Sequence, residues 1–223
     1  VFNSQILMMA YFFGAMLCVF FAGACLEYRQ NIAVKIYMAI MAMYSGWLIM
    51  NLLMVFSSTV ETKEVFARLR FIFITPLPAL WLWFAKELFR EPQKASATKG
   101  MGWFFVIPLI IIAACLIPQG HRLVMNDVQP FESFGIAAIR WKLGWLGQLH
   151  LLYSYIILVF VTVICTRGVR RAGRNKALYS RLMLFSLALY IVADVSGLLF
   201  LPRFRFLGMP ILTQIVSAFA FYY

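Results

Sequence analysis

Long apolar runs alternate with short polar segments along the whole chain. A transmembrane helix needs about 20 predominantly apolar residues to cross the hydrocarbon core of a bilayer, and seven runs reach roughly that length. The pattern predicts an all-α membrane protein, a bundle of seven transmembrane helices that occupies residues 1–223 as a single domain. The predicted spans are residues 5–26, 34–56, 62–89, 101–118, 144–166, 182–201 and 206–223.

Three local signals refine these spans. Ser58 followed by Glu61 fits a capping box and predicts a helix start after the second span. Pro76 and Pro78 lie near the middle of the third span, where each removes a backbone donor, and they predict a kink. Residues 119–143 are the longest connection, and their turn-rich centre predicts a small β-hairpin.

The composition excludes a water-soluble protein. Hydrophobic residues make up 64% of the 223 residues and charged residues 13%, with a mean hydropathy of +0.87. Soluble domains are about 45–50% apolar and about 25% charged. A soluble enzyme, a DNA-binding domain and a secreted disulfide scaffold are therefore excluded. The four cysteines lie in or beside the apolar runs, which indicates packing rather than disulfide formation.

The distribution of basic residues predicts the orientation of the chain. Its 20 Lys and Arg against 8 Asp and Glu give a net charge of +12, which here indicates anionic lipid headgroups as partners rather than nucleic acid. Connections on one side of the membrane hold twelve of these cations, half of them between Arg167 and Arg181, and those on the other side hold eight. By the positive-inside rule the N-terminus and the 119–143 hairpin are then outside, and the end of the seventh span is cytoplasmic.

Polar residues within the spans fall in one layer. Ionisable groups are costly in lipid, so each needs an explanation. At about 1.5 Å of rise per residue, five spans each place a polar side chain at a similar depth below the outer surface: Asn51, Arg70, His150, Asp194 and Gln214. We expect Asp194 to pair with Arg70 or His150, because an unpaired carboxylate there would tend to be protonated.

Two interpretations of this layer stay open. It is either a ligand pocket that opens to the outside or a hydrogen-bonded network that only orders the bundle. Aromatic side chains near the layer would line a pocket, although Trp141 and Trp145 are as typical of an interfacial aromatic belt. The candidate ligand-binding residues are Asn51, Arg68, Arg70, Trp81, His150, Tyr153, Asp194 and Gln214.

The sequence offers little for catalysis or for a cofactor. Neither Gly-x-Ser-x-Gly nor His-Glu-x-x-His occurs, and no lysine follows Lys176, which excludes a retinal Schiff base in the seventh span. Two histidines are too few for a bis-histidine dihaem site, and His150 is more typical of a core histidine than of a metal ligand. We expect neither an enzyme nor a bound cofactor or metal in this chain.

Six short motifs are spread over nearly the whole chain. They are Tyr44-Ser-Gly-Trp47, Phe66-Ala-Arg68-Leu-Arg70-Phe, Pro76-Leu-Pro78-Ala-Leu-Trp81-Leu-Trp83-Phe, His121-Arg-Leu-Val, Gly144-Trp145-Leu and Tyr153-Ser-Tyr155. Together they resemble the seven-transmembrane N-terminal sensor region of bacterial histidine kinases. Ile117-Pro118-Gln119-Gly120 stands where that family tends to have Asn-Pro before the loop histidine.

The resemblance implies a receptor in the bacterial cytoplasmic membrane. In this family the bundle senses a signal and passes it to a cytoplasmic output domain, a histidine kinase or sometimes a diguanylate cyclase, often in a homodimer. Some relatives sense quorum signals, including acyl-homoserine lactones. We therefore expect a module that binds a small amphiphilic or apolar signal in the outer leaflet, transmits it through the seventh span and continues beyond Tyr223 into an output domain. The alternatives are a small-molecule transporter and a membrane assembly or structural protein.

Overall fold

A computed structural model describes most of the first five predicted spans. It covers residues 4–90, 100–117, 119–133, 136–171 and, near the start of the sixth span, 181, 183–185, 187 and 188. The rest of the sixth span and the whole seventh span, with Asp194 and Gln214, lie outside the described residues. The path of the seventh span therefore stays a prediction.

The described residues form mostly α-helix. The helices are α1 (Ser4–Ala24), α2 (Ile32–Phe56), α3 (Val60–Ile74), α4 (Leu77–Leu88), α5 (Val106–Leu116), α6 (His121–Val124) and α7 (Trp145–Arg171), with 3-10 turns at Leu26–Tyr28 and Met101–Phe105. Four stretches are long and apolar enough to cross a membrane: Gln5–Ala24, Ile32–Phe56, Val60–Leu88 and Trp145–Arg170. They coincide with the first, second, third and fifth predicted spans, and the shorter apolar stretch Met101–Leu116 coincides with the fourth. The expectation of a mostly helical, multi-pass membrane protein is confirmed.

The start of α3 differs by one residue from the predicted capping box. Thr59, not Ser58, is the N-cap, and its hydroxyl oxygen accepts a hydrogen bond from the backbone N–H of Thr62 at 3.2 Å. Thr59 has the extended backbone that an N-cap requires, with φ −100° and ψ 151°. The prediction of Ser58 as the N-cap was wrong. Serine and threonine are both good N-caps, and the three-residue spacing from Ser58 to Glu61 favoured Ser58 over Thr59.

The third span is broken at its prolines, which confirms the predicted kink. α3 ends at Ile74 and α4 begins at Leu77, with Pro76 at the N-cap position of α4. Proline has no N–H to donate, and its ring clashes with the carbonyl group one turn earlier. The buried Thr75 hydroxyl donates to the backbone oxygen of Phe71 at 2.8 Å, so one carbonyl at the end of α3 gains a partner.

The predicted hairpin is present in the long connection. Strand β1 (Met125–Ser133) pairs antiparallel with β2 (Ile136–Leu143), from Met125 opposite Leu143 to Ser133 opposite Ile136. The register shifts between Asn126 and Gln129, where Asp127 has a positive φ of 52°. A single extra residue with this conformation produces a β-bulge, and aspartate tolerates it better than most residues.

The hairpin packs on one end of the bundle, which we call the hairpin end. Here it contacts α2, α3, α6 and α7, beside the C-terminus of α5. Gly144 connects β2 to α7 and donates its N–H to the backbone oxygen of Val124 at 3.0 Å. A Cβ atom at Gly144 would overlap the carbonyl group of Leu123, so α7 can begin this close to α6 only with glycine at this position.

Two apolar clusters hold the elements together. The larger lies between α1, α2, α4 and α7 and includes the buried residues Leu7, Ile40, Leu82 and Ile157. The second lies beneath the hairpin and joins α3, α5, α6 and β1 through Ala67, Ile111, Val124 and Met125. The hairpin is therefore part of the packed core at its end of the bundle.

Candidate functional site

Arg70 and Asn51, two residues of the predicted polar layer, are in direct contact. Arg70 Nη1 donates to Asn51 Oδ1 at 3.0 Å, and Asn51 Nδ2 donates to the backbone oxygen of Trp47 at 2.7 Å. The second hydrogen bond orients the amide, so its oxygen points toward Arg70. Asn51 is only 3% exposed and Arg70 is partly buried, so the pair lies inside the bundle at its hairpin end.

Aromatic side chains surround the Arg70 guanidinium. Its carbon lies 4.9 Å from the centroid of the Trp141 ring on β2 and 5.9 Å from that of Phe71. Both distances are within the range of about 6 Å at which a cation is attracted to an aromatic face. Arg70 therefore links α2 and the hairpin to α3.

The charge of Arg70 has no internal counterion in the part of the chain that the structure describes. The ion pairs there involve other cations, and no carboxylate lies within 4.0 Å of Arg70. A guanidinium stays protonated in proteins, and a charge near lipid is costly unless it is compensated. Asp194, the predicted partner, lies outside the described residues, so that pairing stays a prediction.

Arg68 belongs to a different cluster on another face of α3. Residues two apart on an α-helix point about 200° apart. Arg68 Nη2 donates to Glu64 Oε1, and Nε2 of His121 on α6 lies 3.4 Å from the same oxygen. Among the described residues, neither Nδ1 of the buried His121 nor Nε of Arg68 has a hydrogen-bond partner. This cluster attaches α6 to α3 and does not extend the surroundings of Arg70.

Trp81 lies deeper in the bundle. Its Nε1 donates to the hydroxyl oxygen of Tyr44 at 2.9 Å and so connects α4 with α2. Tyr44 and Asn51 are about 10 Å apart along α2 at the helical rise per residue. The structure therefore places Trp81 toward the opposite end of the bundle from the Arg70–Asn51 pair.

His150 and Tyr153 lie together on α7. Their rings stack at a centroid distance of 6.1 Å, and the Tyr153 hydroxyl donates to the backbone oxygen of Phe104 at 2.6 Å. Nδ1 of His150 is buried and has no partner within the described ranges. These contacts connect α7 with the turn before α5, not with Arg70.

The hairpin carries an ion pair on its exposed surface. Lys142 Nζ lies 2.6 Å from Asp127 Oδ2, and Gln129 Nε2 donates to Asp127 Oδ1 at 3.0 Å. The hydrogen bond from Lys142 is the largest cause, and that from Gln129 a further one, of an Asp127 pKa below its ordinary value. This pair connects the two strands across the bulge.

Two important residues were missed by the sequence reasoning. Trp141 was considered an interfacial aromatic, yet it covers Arg70. Lys63 is one of the eight cations that the sequence assigns to the connections on the outer side, but it is 2% exposed and its Nζ donates to the backbone oxygen of Met54 at 2.9 Å. A signal for Lys63 exists in the sequence, since a lysine in the first turn after a short connection can reach the C-terminus of the preceding helix. The sequence contains no comparable signal for the contact between Trp141 and Arg70.

Comparison with known proteins agrees with this architecture. The family model described as the N-terminal 7TM region of histidine kinase matches residues 10–223. A comparison with curated proteins finds no significant match. The family match extends over nearly all of the chain, including the apolar helices and the hairpin end, and it agrees with the resemblance of the six motifs. The chain therefore belongs to the family of N-terminal seven-transmembrane regions of histidine kinases.

Proposed function

We propose that the chain binds a small amphiphilic signal at the hairpin end and passes the information to the output domain of a histidine kinase. As the seven-transmembrane sensor part of such a kinase, the chain is not itself a catalytic domain. The surroundings of Arg70 support a ligand site. Asn51 holds this cation, Trp141 covers it, and no carboxylate neutralises it within the described residues.

The position of Arg70 suits a receptor. An ionisable residue within a membrane-spanning segment is by default a candidate functional residue. A ligand shifts the equilibrium between two conformations of a protein only if it binds them with different affinities. Because Arg70 touches residues from α2 and the hairpin, a ligand that competes for its donors would favour a different packing of these elements.

The break at Pro76 is the proposed hinge. It separates α3, which carries Arg70, from α4, which packs against α7 and contacts the turn before α5. A rearrangement at the hairpin end could thus reach the opposite end of the bundle as a change in the angle between α3 and α4. From there we propose that the seventh span carries the signal into the cytoplasm.

The proposed site has a centre and outer members. Asn51 and Arg70 form the centre, and we retain Asp194 and Gln214 as proposed members because the sequence places them at a similar depth in the sixth and seventh spans. We propose that Arg68, Trp81, His150 and Tyr153 support the packing around the site, since their contacts lie elsewhere. The hairpin end faces the outside of the bacterial cytoplasmic membrane in this proposal, and the kinase acts as a homodimer.

Autophosphorylation of the full-length kinase in lipid nanodiscs tests this proposal. The source of signal is spent culture medium of the bacterium that carries this kinase, and the variants are Arg70→Ala and Asp194→Asn. We expect both to lose the response, whereas Arg122→Ala, an exposed cation at the same end, keeps it. A normal response in both variants would exclude the site. Flux of a medium component into proteoliposomes, without any change in phosphorylation, would favour transport instead.

A further inference from the structure

We infer that the signal carries an oxyanion, such as a carboxylate or a phosphate, which binds to the Arg70 guanidinium beside Trp141. This inference rests on the proposed function, because it names the ligand chemistry of the same site. Three observations lead to it: the Arg70 donors that no described residue uses, the charges at the hairpin end and the Trp141 ring over the guanidinium.

Arg70 has N–H donors that form no hydrogen bond to any described residue. A guanidinium carries five N–H donors in a planar fork. Among the described residues, its hydrogen bond to Asn51 uses Nη1, and Nη2 and Nε form none. The planar fork matches the two oxygens of a carboxylate or phosphate, and such bidentate, charge-assisted hydrogen bonds are stronger than neutral ones.

The charges around Arg70 favour an anion. Within the described part of the hairpin end, six cationic side chains face four carboxylates. The cations are Lys63, Arg68, Arg70, Arg122, Arg140 and Lys142, and the carboxylates are Glu61, Glu64, Asp127 and Glu132. Glu64 is already shared by Arg68 and His121, and Asp127 is paired with Lys142. The remaining two carboxylates are exposed, so the local potential attracts anionic ligands.

The aromatic cover defines where the ligand binds. The guanidinium carbon lies over the Trp141 ring, and Nη2 and Nε make no hydrogen bond to a described residue. The apolar ring of Phe71 also lies beside the guanidinium, with its centroid 5.9 Å from the guanidinium carbon. An amphiphile with an anionic head fits these surroundings, because its head makes charge-assisted hydrogen bonds to the guanidinium and its chain contacts the aromatic rings. A neutral head would make only weaker hydrogen bonds, and a cationic head would be repelled.

Three probes of equal chain length test the inference: octanoate, octanamide and octylamine. Binding is measured as the shift in melting temperature, with concentration series, of the full-length kinase in phosphatidylcholine nanodiscs. We expect octanoate to bind at least about tenfold more tightly than octanamide, since it adds a charge-assisted contact, and octylamine not to bind. Arg70→Gln, which keeps a donor for Asn51, should remove the preference, and Arg122→Gln should keep it.

Two results would overturn the oxyanion inference, and a third identifies the source of the oxyanion. Equal affinity for octanoate and octanamide in the unmodified protein would overturn the inference, and this comparison does not depend on the folding of any variant. An unchanged preference in a folded Arg70→Gln protein would overturn it as well. If phosphatidylglycerol in the nanodisc competes with octanoate, and does so only when Arg70 is present, the oxyanion is a lipid headgroup. If it does not compete, the oxyanion comes from a soluble amphiphile.

The two proposals can fail separately. In one case octanoate binds through Arg70 but does not change autophosphorylation, and spent medium also has no effect that depends on Arg70. That result would overturn the sensing function and leave the oxyanion site intact. Loss of the medium response in Arg70→Gln, without any preference for octanoate over octanamide, would retain the sensing function and overturn the oxyanion.

Discussion

The guanidinium carbon of Arg70 on α3 lies 4.9 Å from the centroid of the Trp141 ring on β2. The hairpin thus rests on a cation within the bundle, and Asn51 holds the same cation from α2. Any group that binds Arg70 must share it with these two neighbours. One side chain of α3 thus joins the hairpin to α2.

Replacing Trp141 by leucine should weaken the attachment of the hairpin to the bundle. Leucine keeps an apolar side chain but loses the cation–π contact, which is worth about 0.5–2 kcal/mol depending on desolvation. We expect a lower melting temperature and faster hydrogen exchange in β1 and β2. Trp145→Leu is the matched control, because Trp145 lies at the same end and is 60% exposed. Equal effects of the two substitutions would contradict a special role for Trp141.

Replacing Glu64 by glutamine should loosen α6. The carboxylate of Glu64 accepts a hydrogen bond from Arg68 and lies 3.4 Å from Nε2 of the buried His121. Removing its charge leaves Arg68 without its ion pair, and we expect a loss of roughly 1–3 kcal/mol in the free energy of unfolding. Glu61→Gln, an exposed carboxylate one turn earlier, should change it by less than about 0.5 kcal/mol. Chemical denaturation in detergent micelles measures both, and a small effect of Glu64→Gln would show that the cluster adds little.

The fold was predictable wherever a local pattern determines it. Hydrophobic length predicted the helices, because lipid imposes a minimum length on any span. Pro76 broke the third span as expected, since the loss of an N–H acts within one turn. The cap at Thr59 was missed by one residue because neighbouring serine and threonine side chains cap equally well.

The sequence predicted the depth of the polar residues in the helices but not the direction in which each side chain points. Counting residues along the helices gave the depth of Asn51 and Arg70 closely enough to predict their contact layer. The residue count does not show on which face of the helix each side chain lies. Arg68 was therefore grouped with Arg70, although the two side chains point to different faces of α3. Trp141 reaches Arg70 only through the register of the hairpin, which depends on the bulge at Asp127 and on packing against α3.

Replacing Lys63 by methionine should destabilise the C-terminus of α2. The ammonium group of Lys63 donates to the backbone oxygen of Met54 in the last turn of that helix. Methionine fills a similar volume but cannot donate, so a buried carbonyl group loses its cationic partner at a cost of about 1–3 kcal/mol. Thermal unfolding measures the change, with Lys35→Met as the exposed control. A stability equal to that of the control variant would mean that water replaces the lysine.

Asp127 should titrate below its ordinary pKa of 3.8, because Lys142 and, to a smaller extent, Gln129 donate hydrogen bonds to its carboxylate. A carboxyl group with a lowered pKa in the folded state stabilises the fold above its unfolded pKa, and this contribution is lost as the pH falls through the folded value. The hairpin contact is therefore intact at neutral pH and weakens only below about pH 4. The carboxyl ¹³C shift of Asp127 in micelles follows the titration, and Lys142→Ala should move its midpoint up toward 3.8. A midpoint above that value in the unmodified protein would exclude the ion pair in solution.

Cysteine labelling in intact cells should place the hairpin outside the membrane. The prediction follows from the excess of basic residues in the connections on the opposite side. Gln129 on the hairpin and Gln30 in the turn between α1 and α2 are both exposed and lie at opposite ends of the bundle. In a protein whose four native cysteines are replaced by alanine, a membrane-impermeant maleimide should label Gln129→Cys in intact cells and Gln30→Cys only after permeabilisation. The reverse pattern would put Arg70 on the cytoplasmic side, and an external signal could then reach the proposed site only after crossing the membrane.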